Sequence, residues 1–358
     1  MEAVKRKEKV FVGLSGGVDS SVSALLLLRQ GYEVGGVFIR TWQPDWTPCT
    51  WRQDRRDAMR ICARLGIKYH ELDLEQVYKQ EVADYMIQEY QRGRTPNPDV
   101  MCNRAVKFGG FLDWSLARGA DYIATGHYVQ IDMTRGVPVL ARGADLAKDQ
   151  SYFLWTLTSS QLQHVMFPVG HLEKPAVRAM AKKHNLLTAE KKDSQGICFL
   201  GDIDMQEFLR HYIDEKPGAV LNEAGEHVGS HDGALFFTLG QRHGFTITEK
   251  AANDVPRYVV AKDVESNTIT VSENIVAKNK ERLVALESCN YVASDPFQIG
   301  RTLTVEIRYH GTLQKAKLVA KTETSMQIEF ETYDPTLSSG QSVVFYEDGI
   351  CLGGGVVA

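Results

Sequence analysis

The pattern of hydrophobic and polar positions changes character near residue 215. Before that point, short apolar segments are followed by segments in which apolar residues recur at helical spacing. Alternation of strands and helices predicts a doubly wound parallel sheet with helices on both faces. The expected strands are Val10–Leu14, Glu33–Ile39, Ile67–Leu72 and Asp121–Thr125, and the expected helices are Ser20–Gln30, Asp54–Leu65, Glu75–Arg92 and Asn103–Ala117.

Helical spacing disappears after Glu215, and short strands separated by turn residues follow. The pattern fits two small β units, or one barrel with a linking module, with a boundary near Val276–Lys280. We therefore expect an α/β domain over residues 1–210, a mainly-β central domain over 211–278 and a C-terminal β-barrel over 279–358. The expected strands are Gly218–Leu221, Leu235–Leu239, Tyr258–Asp263, Thr268–Ser272, Arg282–Ala293, Thr302–Tyr309, Thr312–Thr322, Met326–Phe330, Ser342–Tyr346 and Ile350–Val357.

Composition narrows the class of protein. The 358 residues include 43% hydrophobic and 24% charged side chains, typical of soluble globular domains, and no apolar run is long enough to span a membrane. A net charge of −4 argues against a non-specific binder of nucleic acid but permits a local basic groove. The six cysteines are too sparse for a secreted disulfide scaffold and lack zinc spacing. We expect a cytoplasmic monomer without a membrane anchor or a structural metal.

The segment from Val12 to Ser21 is the strongest local motif. It lies between a strand and a helix, where backbone N–H groups and the helix dipole converge on an anion. Its glycines permit close backbone approach and its serines offer hydroxyl donors, but the lysine of a Walker A loop is missing. The alternative is a tight turn with a capping Ser or Asp. The candidate phosphate-binding residues are Gly13, Leu14, Ser15, Gly16, Gly17, Val18, Asp19 and Ser20.

This SGGVDS segment resembles the pyrophosphate loop of the N-type ATP pyrophosphatases, which have an adenine nucleotide alpha hydrolase-like fold. The resemblance implies that ATP is split to AMP and pyrophosphate, with Mg²⁺ bound to the nucleotide. Asp19 suits either the ion or a helix cap. Adenine is then expected near Phe38, Ile39 and Gly126, at the carboxyl ends of the strands. His127, which follows Gly126, is expected to be a structural hydrogen bonder.

Two cysteine segments suggest sulfur chemistry. Cys102 follows a proline-rich loop and is expected at a helix N-terminus, where the dipole, Arg104 and Lys107 would lower its thiol pKa. Asp99 is placed to exchange a proton with a bound group. Cys198 lies between glycines in the segment KKDSQGICFLG. Each cysteine alone also fits a buried structural role, but together with an ATP-activating loop they favour adenylation of a carbonyl followed by persulfide transfer.

The ordered strings GLSGGVDSSVSALLL, GRTPNPDVMCNRAVKF, DYIATGHY, KDQSYFL, KKDSQGICFLG, TLGQRHG and GQSVVFYEDGICLGGG span nearly the whole chain. With them the sequence resembles the tRNA-specific 2-thiouridylase family, which converts the wobble uridine (position 34) of tRNA to 2-thiouridine. The resemblance implies that Cys198 carries the persulfide, that Cys102 forms a disulfide with it and that Asp99 is the acid or base.

The same resemblance implies the partners. Asn97, Pro98 and Asp99 match the segment that meets the target base. Other tRNA-contacting positions match Lys148, Asp149, Gln150, Arg308 and Tyr309. The expected partners are tRNAs that accept lysine, glutamate or glutamine, and a cysteine desulfurase or sulfur-relay protein. We expect the target base to be extruded into the site.

The stretch Trp42–Trp51 departs from the acidic segment expected in many relatives, and Cys49 within it matches no catalytic position. Two alternative functions remain open at this stage. An amidating ATP pyrophosphatase would need no cysteine pair, and a non-catalytic tRNA-binding protein would need no pyrophosphate release.

Overall fold

A computed structural model describes residues 7–47, 51–134, 136–193, 196–201, 203–248, 255–274, 282–293, 296–332 and 334–358. Cys49 and the boundary expected near Val276–Lys280 lie outside these residues. Three β-sheets organise the described chain. None of its described helices is long and apolar enough to span a membrane.

The N-terminal part is built on a parallel sheet of order β3-β2-β1-β4-β7. The doubly wound α/β architecture predicted from the hydrophobic pattern is confirmed. Helices alternate with its strands because each strand feeds a crossover back to the same sheet. The elements are β1 Lys9–Gly13, α1 Val18–Arg29, β2 Glu33–Arg40, α2 Trp51–Leu65, β3 Lys68–Asp73, α3 Glu75–Tyr78, α4 Tyr85–Gln91, α5 Pro98–Cys102, α6 Phe111–Leu116, β4 Tyr122–Ala124, β5 Val129–Asp132, β6 Val139–Arg142, α7 Ser159–Leu162, β7 Val165–Met166 and α8 Lys174–Lys183.

Two π-helical segments interrupt the helices that cover one face of this sheet. Lys79–Asp84 joins α3 to α4, and Asn103–Gly110 joins α5 to α6. The helix expected to begin at Asn103 begins at Pro98 instead. Asn97 accepts hydrogen bonds from two backbone N–H groups of the first turn, and Pro98 occupies the first helical position, where a missing N–H costs nothing.

The central part is a five-stranded sheet of order β10-β9-β8-β12-β11. Leu235–Leu239 was expected as a strand, and this prediction is wrong, because Ala234–Phe236 forms a 3₁₀ turn. Phe236 and Phe237 are both buried. The elements are α9 Met205–Arg210, β8 Gly218–Leu221, β9 His227–His231, β10 Phe245–Ile247, β11 Tyr258–Asp263 and β12 Thr268–Ser272.

The C-terminal part is a six-stranded barrel. Its order is β13-β16-β15-β14-β17-β18, and pairing of β13 with β18 closes it. Its apolar interior includes Phe297, Phe330 and Phe345. The strands are β13 Leu283–Tyr291, β14 Thr302–Glu306, β15 Gln314–Lys321, β16 Met326–Phe330, β17 Ser342–Glu347 and β18 Ile350–Val357.

A hairpin from the N-terminal half extends this barrel. Strands β5 and β6 pair with each other, and β6 pairs antiparallel with β18 through Leu140 and Cys351. Arg142 at the end of β6 forms an ion pair of 2.6 Å with the buried Glu306 of β14 and lies over the ring of Tyr346. A hairpin from the N-terminal part therefore belongs to the same sheet as the barrel strands.

Candidate active site

The glycine-rich loop joins β1 to α1 and leaves the amino end of the helix open. Gly17 precedes the first helical residue and has no side chain that could cap it. Gly16 has a φ of +72°, and a Cβ there would lie 2.8 Å from the carbonyl oxygen of Asp54. Because the first N–H groups of an α-helix have no partner within the helix, this end offers donors and a positive dipole to an anion. The geometry suits the phosphates of a nucleotide.

The loop after β4 reaches the same end of α1. A Cβ on Gly126 would lie 2.7 Å from the backbone nitrogen of Ser20, so the approach requires glycine. Ile39 is buried near the carboxyl end of β2, beside β1. The structure thus gathers the candidate ATP-contacting residues at one edge of the sheet. They are Gly13, Leu14, Ser15, Gly16, Gly17, Val18, Asp19, Ser20, Ile39 and Gly126.

Asp19 is held by side chains from other elements. Both of its carboxylate oxygens lie 2.8 Å from Nζ of the buried Lys174, and the Tyr128 hydroxyl donates to one of them at 2.6 Å. The sequence left two roles open for this residue, a cap or an ion ligand. In this structure its negative charge is matched by Lys174.

Lys174 also connects the glycine-rich loop to the segment that leads to Cys198. Its Nζ lies 2.8 Å from Asp193 Oδ1, and Arg178 and Lys148 bind the same carboxylate at 2.7 and 3.0 Å. Burial alone would raise the pKa of Asp193, but hydrogen bonds from Lys174 and Lys148 lower it to about 2. Asp193 is therefore a charged anchor between the two candidate sites.

The two cysteine segments meet across α5. Cys102 is fully buried, and its Sγ donates a hydrogen bond of 3.3 Å to Sγ of the half-buried Cys198. The backbone N–H of Cys198 donates to Asp99 Oδ1 at 2.9 Å, and the Tyr78 hydroxyl donates to the Cys198 carbonyl at 2.7 Å. Three side chains from two helices thus fix the backbone and the sulfur of Cys198: Asp99 and Cys102 of α5 and Tyr78 of α3.

The two thiols ionise differently because their surroundings differ. Burial raises the pKa of Cys102 well above its usual value, and the hydrogen bond to Cys198 acts in the same direction. The hydrogen bond from Cys102 lowers the pKa of Cys198, and the Lys107 ammonium group also lowers it against the opposing effect of burial. The expectation of a lowered pKa for Cys102 is wrong, because Cys102 lies one turn inside the helix, where burial outweighs the nearby charge.

The carboxyl group of Asp99 holds its proton more readily than an ordinary surface carboxyl group. Burial raises its pKa, although the N–H of Cys198 and the charge of Lys107 act against this effect. A raised pKa favours the neutral acid, which can give up a proton within the site. Its position three residues before Cys102 on α5 gives it access to the same pocket.

Sequence reasoning placed Lys107 near Cys102 and gave His127 a structural role, but it did not bring these two residues together. The Nζ of Lys107 lies 3.3 Å from Nε2 of His127, whose Nδ1 lies 2.7 Å from the Thr125 hydroxyl. Burial lowers the pKa of His127 well below its usual value, and Lys107 adds to this effect. Because these residues come from a helix and a strand end, nothing in local spacing indicates that they meet.

The predicted tRNA-contacting side chains have varied surroundings. Asp149 is buried and accepts backbone hydrogen bonds, and Gln150 accepts one from the Tyr128 N–H. Arg308 donates to the carbonyl groups of Leu239 and Thr336. Tyr309 is more exposed and packs on the Phe153 ring with centroids 4.5 Å apart. Lys148 is bound to Asp193, as described above.

Within the described ranges, no group of three or more His, Cys, Asp or Glu side chains is arranged to hold a metal ion. The site therefore presents an anion-binding helix end on one side and a paired thiol centre on the other. The charged chain Asp19–Lys174–Asp193 links the two.

Comparison with known proteins gives consistent matches along the chain. A family model described as the tRNA methyl transferase HUP domain matches residues 8–202. A tRNA methyl transferase PRC-barrel domain matches residues 206–273, and an aminomethyltransferase beta-barrel domain matches residues 281–357.

Curated relatives match over almost the full length. The tRNA-specific 2-thiouridylase MnmA of Pseudomonas putida (strain W619) is 45% identical over 98% of this chain and 95% of the relative. The protein with the same description from Pseudomonas aeruginosa (strain UCBPP-PA14) is 44% identical with the same coverage. A solved U34-tRNA thiolase NcsA from Methanococcus maripaludis is 17% identical, covers 56% of this chain and 64% of its own, and gives a TM-score of 0.36, too low to carry an argument.

Proposed function

The chain belongs to the tRNA-specific 2-thiouridylase family and is a tRNA-uridine 2-sulfurtransferase, and we propose that it adenylates the C2 carbonyl of the wobble uridine and replaces that oxygen with sulfur from Cys198. Membership implies the use of ATP and a tRNA substrate. It also excludes the non-catalytic and amidating alternatives. The products are 2-thiouridine, AMP and pyrophosphate.

The observation that carries this proposal is the contact between the two thiols. Cys102 Sγ and Cys198 Sγ lie 3.3 Å apart, and Asp99 holds the backbone N–H of Cys198. An amidating enzyme has no use for such a pair. A sulfur carrier beside a resolving thiol needs this arrangement.

Activation begins at the open end of α1. Its N–H groups and the loop serines bind the phosphates of ATP, and the uridine O2 attacks the α-phosphorus with release of pyrophosphate. The oxygen then leaves with AMP, because a phosphate ester is a far better leaving group than the oxygen of a urea-like carbonyl. Mg²⁺ bound with ATP would offset phosphate charge, and Asp19, in the first turn of α1, would be the carboxylate that holds it.

Sulfur transfer uses both cysteines. The Cys198 thiolate takes the outer sulfur of a donor persulfide, and the donor leaves as a thiolate. The terminal sulfur then attacks C2, AMP departs, and a C–S bond replaces the C–O bond. Cys102, after losing its proton, attacks Cys198 Sγ, so that a Cys102–Cys198 disulfide forms and 2-thiouridine is released. A thiol reductant returns the disulfide to two thiols.

Asp99 is the proposed proton carrier for these steps. Its raised pKa suits exchange of a proton with the base or with Cys102. Asn97 and Pro98 would lie against the extruded uridine, since Asn97 caps the helix that carries Asp99. The remaining proposed tRNA-contacting residues are Lys148, Asp149, Gln150, Arg308 and Tyr309.

We assign adenylation, sulfur transfer and the tRNA contacts of Asn97–Asp99 and Lys148–Gln150 to residues 1–210, and further tRNA contact to the central domain over 211–278 and the barrel over 279–358. The proposed partners are tRNAs that accept lysine, glutamate or glutamine, and a cysteine desulfurase or relay protein that delivers the sulfur. We further propose a monomer that works in the cytoplasm.

The test is to incubate unmodified tRNA with the enzyme, Mg-ATP and a persulfide source, and to measure nucleosides by mass spectrometry. Wild type should form 2-thiouridine only with ATP, and Cys198→Ser and Cys102→Ser should abolish multiple turnovers. Cys289→Ser is the matched control, because Cys289 is also half-buried but lies in the barrel. Cleavage of ATP to AMP without thiouridine under any sulfur supply would contradict the proposal.

A further inference from the structure

Lys107 lies near the paired thiols of Cys102 and Cys198 on a π-helical segment. In a π-helix the hydrogen-bonded residues are five apart, so Lys107 follows Cys102 by one turn of the helix. Its ammonium group lies 3.3 Å from Nε2 of His127, and its charge lowers the pKa of the Cys198 thiol. The Phe199 ring, which follows Cys198, lies 5.8 Å from Nζ and offers its face to the cation.

The charge of Lys107 needs an anionic partner in this position. Burial opposes the ammonium form, yet the pKa of Lys107 is raised, because Cys198, Cys102 and Asp99 surround it in that order of influence. Cys102 donates its proton toward Cys198, and burial favours the neutral acid of Asp99. The group left to carry the negative charge is therefore the Cys198 sulfur.

His127 fixes where the ammonium group lies. Its ring packs between Phe108 and Phe167, with centroids 5.7 and 6.1 Å away. Since Nε2 faces the Lys107 donor, Nδ1 carries the proton and donates to the Thr125 hydroxyl at 2.7 Å. A neutral histidine in a single tautomer is a fixed acceptor and adds no competing positive charge.

We propose that Lys107 keeps the Cys198 sulfur anionic, first as the thiolate that accepts a sulfur atom and then as the persulfide anion that attacks the activated uridine, and that His127 is the positioning residue that holds the Lys107 ammonium group in place. This inference deepens the proposed function and rests on Cys198 as the sulfur carrier. The ionisable groups that face Cys198 are Cys102, Asp99, Lys107 and Tyr78.

The test follows ionisation without tRNA, ATP or a sulfur donor. The full-length enzyme is treated with iodoacetamide over pH 5–10, and alkylation of the Cys198 peptide is measured by mass spectrometry. Lys107→Met should move the alkylation midpoint to higher pH and slow the reaction at pH 6.5 by about tenfold, since one pKa unit changes the thiolate fraction tenfold. Lys107→Arg should retain most of the rate.

Lys262→Met is the matched control, because Lys262 is also half-buried but lies in the central sheet and donates to the Phe237 carbonyl. A profile for Lys107→Met that coincides with this control overturns the proposal. His127→Phe should shift the midpoint in the same direction by less than Lys107→Met. If Lys107→Met does not fold, an unchanged midpoint in His127→Phe overturns the proposal instead.

The two proposals fail separately. A shifted alkylation midpoint together with no thiouridine from the wild-type enzyme contradicts the proposed function and leaves the role of Lys107 intact. Thiouridine formation by wild type with no shift in Lys107→Met and His127→Phe contradicts only the role of Lys107.

Discussion

Three residues of the same small centre differ in their preference for a proton. Burial raises the pKa of Cys102, the hydrogen bond from Cys102 and the charge of Lys107 lower the pKa of Cys198, and burial raises the pKa of Asp99. Two identical thiols thus differ in acidity through their surroundings alone. Only the environment, and not the residue type, distinguishes their roles.

Asp99→Asn separates the hydrogen bond that Asp99 accepts from Cys198 and the proton exchange that we propose for it. The amide oxygen can still accept the N–H of Cys198, so the turn should stay in place, but the side chain can no longer exchange a proton. We expect single-turnover thiouridine formation to fall by about 10²-fold or more, the usual size of a lost acid–base step. Rapid-quench sampling with nucleoside mass spectrometry measures this rate.

Asp99→Ala is the comparison for this variant, since it loses the hydrogen bond as well. Alkylation of Cys198 should be altered in Asp99→Ala and near normal in Asp99→Asn. Full single-turnover activity in Asp99→Asn would show that the carboxyl group does no more than hold the turn.

At the scale of elements, the sequence predicted what local patterns determine. Strand β1 and helix α1 were expected within two residues of their ends, since an apolar run, a glycine turn and Gly31 delimit them. The sequence analysis does not predict the start of α5, because two nearby prolines favour a loop. Asn97 and Pro98 are nevertheless a typical N-cap and first residue of a helix.

The remaining misses have a common physical cause. The hairpin of β5 and β6 is stabilised by pairing with β18, and Lys107 and His127 meet only when a helix packs against a strand end. Neither contact leaves a periodic pattern in the sequence, because the partners are far apart along the chain. Family resemblance and chemistry link the two cysteines, and the structure adds the distance between their sulfur atoms and the direction in which each thiol pKa is shifted.

Breaking the ion pair between β6 and β14 should strongly destabilise the protein. Arg142→Met leaves Glu306 buried without its cation, and we expect a loss of about 3–5 kcal/mol in the free energy of unfolding. The double variant with Glu306→Gln should recover part of that loss, because Glu306 then carries no charge, whereas the buried Asp149, 3.7 Å from Arg142 Nε, still lacks its cation. Urea unfolding followed by fluorescence tests both. Equal destabilisation of the single and double variants would contradict this account.

At the scale of the whole molecule, the loop before α5 touches all three parts of the protein. The Thr95 N–H donates to the Ser339 carbonyl of the barrel at 2.7 Å, and its hydroxyl lies 3.1 Å from that of Thr238 in the central part. Arg94 forms an ion pair with Glu287 on β13. The central part and the barrel therefore both hold the segment that precedes the helix bearing Asp99 and Cys102.

Gly340→Val tests this dependence from the barrel side. A Cβ on Gly340 would lie 2.8 Å from the Thr95 nitrogen, so the larger side chain should displace the loop and reduce thiouridine formation at least about tenfold. Gly349→Val is the matched control, because Gly349 has a similar positive φ of 80° but no atom within 4 Å of its Cβ position. Activity assays and thermal melting of both variants provide the comparison. Equal activity in the two variants would refute the coupling.

The pairing of β6 with β18 also has a consequence for synthesis on the ribosome. Leu140 of β6 pairs with Cys351 of β18, and about 210 residues must be added between them. At about 5–20 residues per second the hairpin waits about 10 to 40 s for its partner. During that interval the growing chain presents an unpaired strand edge, which is the kind of surface that chaperones protect and that neighbouring nascent chains can pair with.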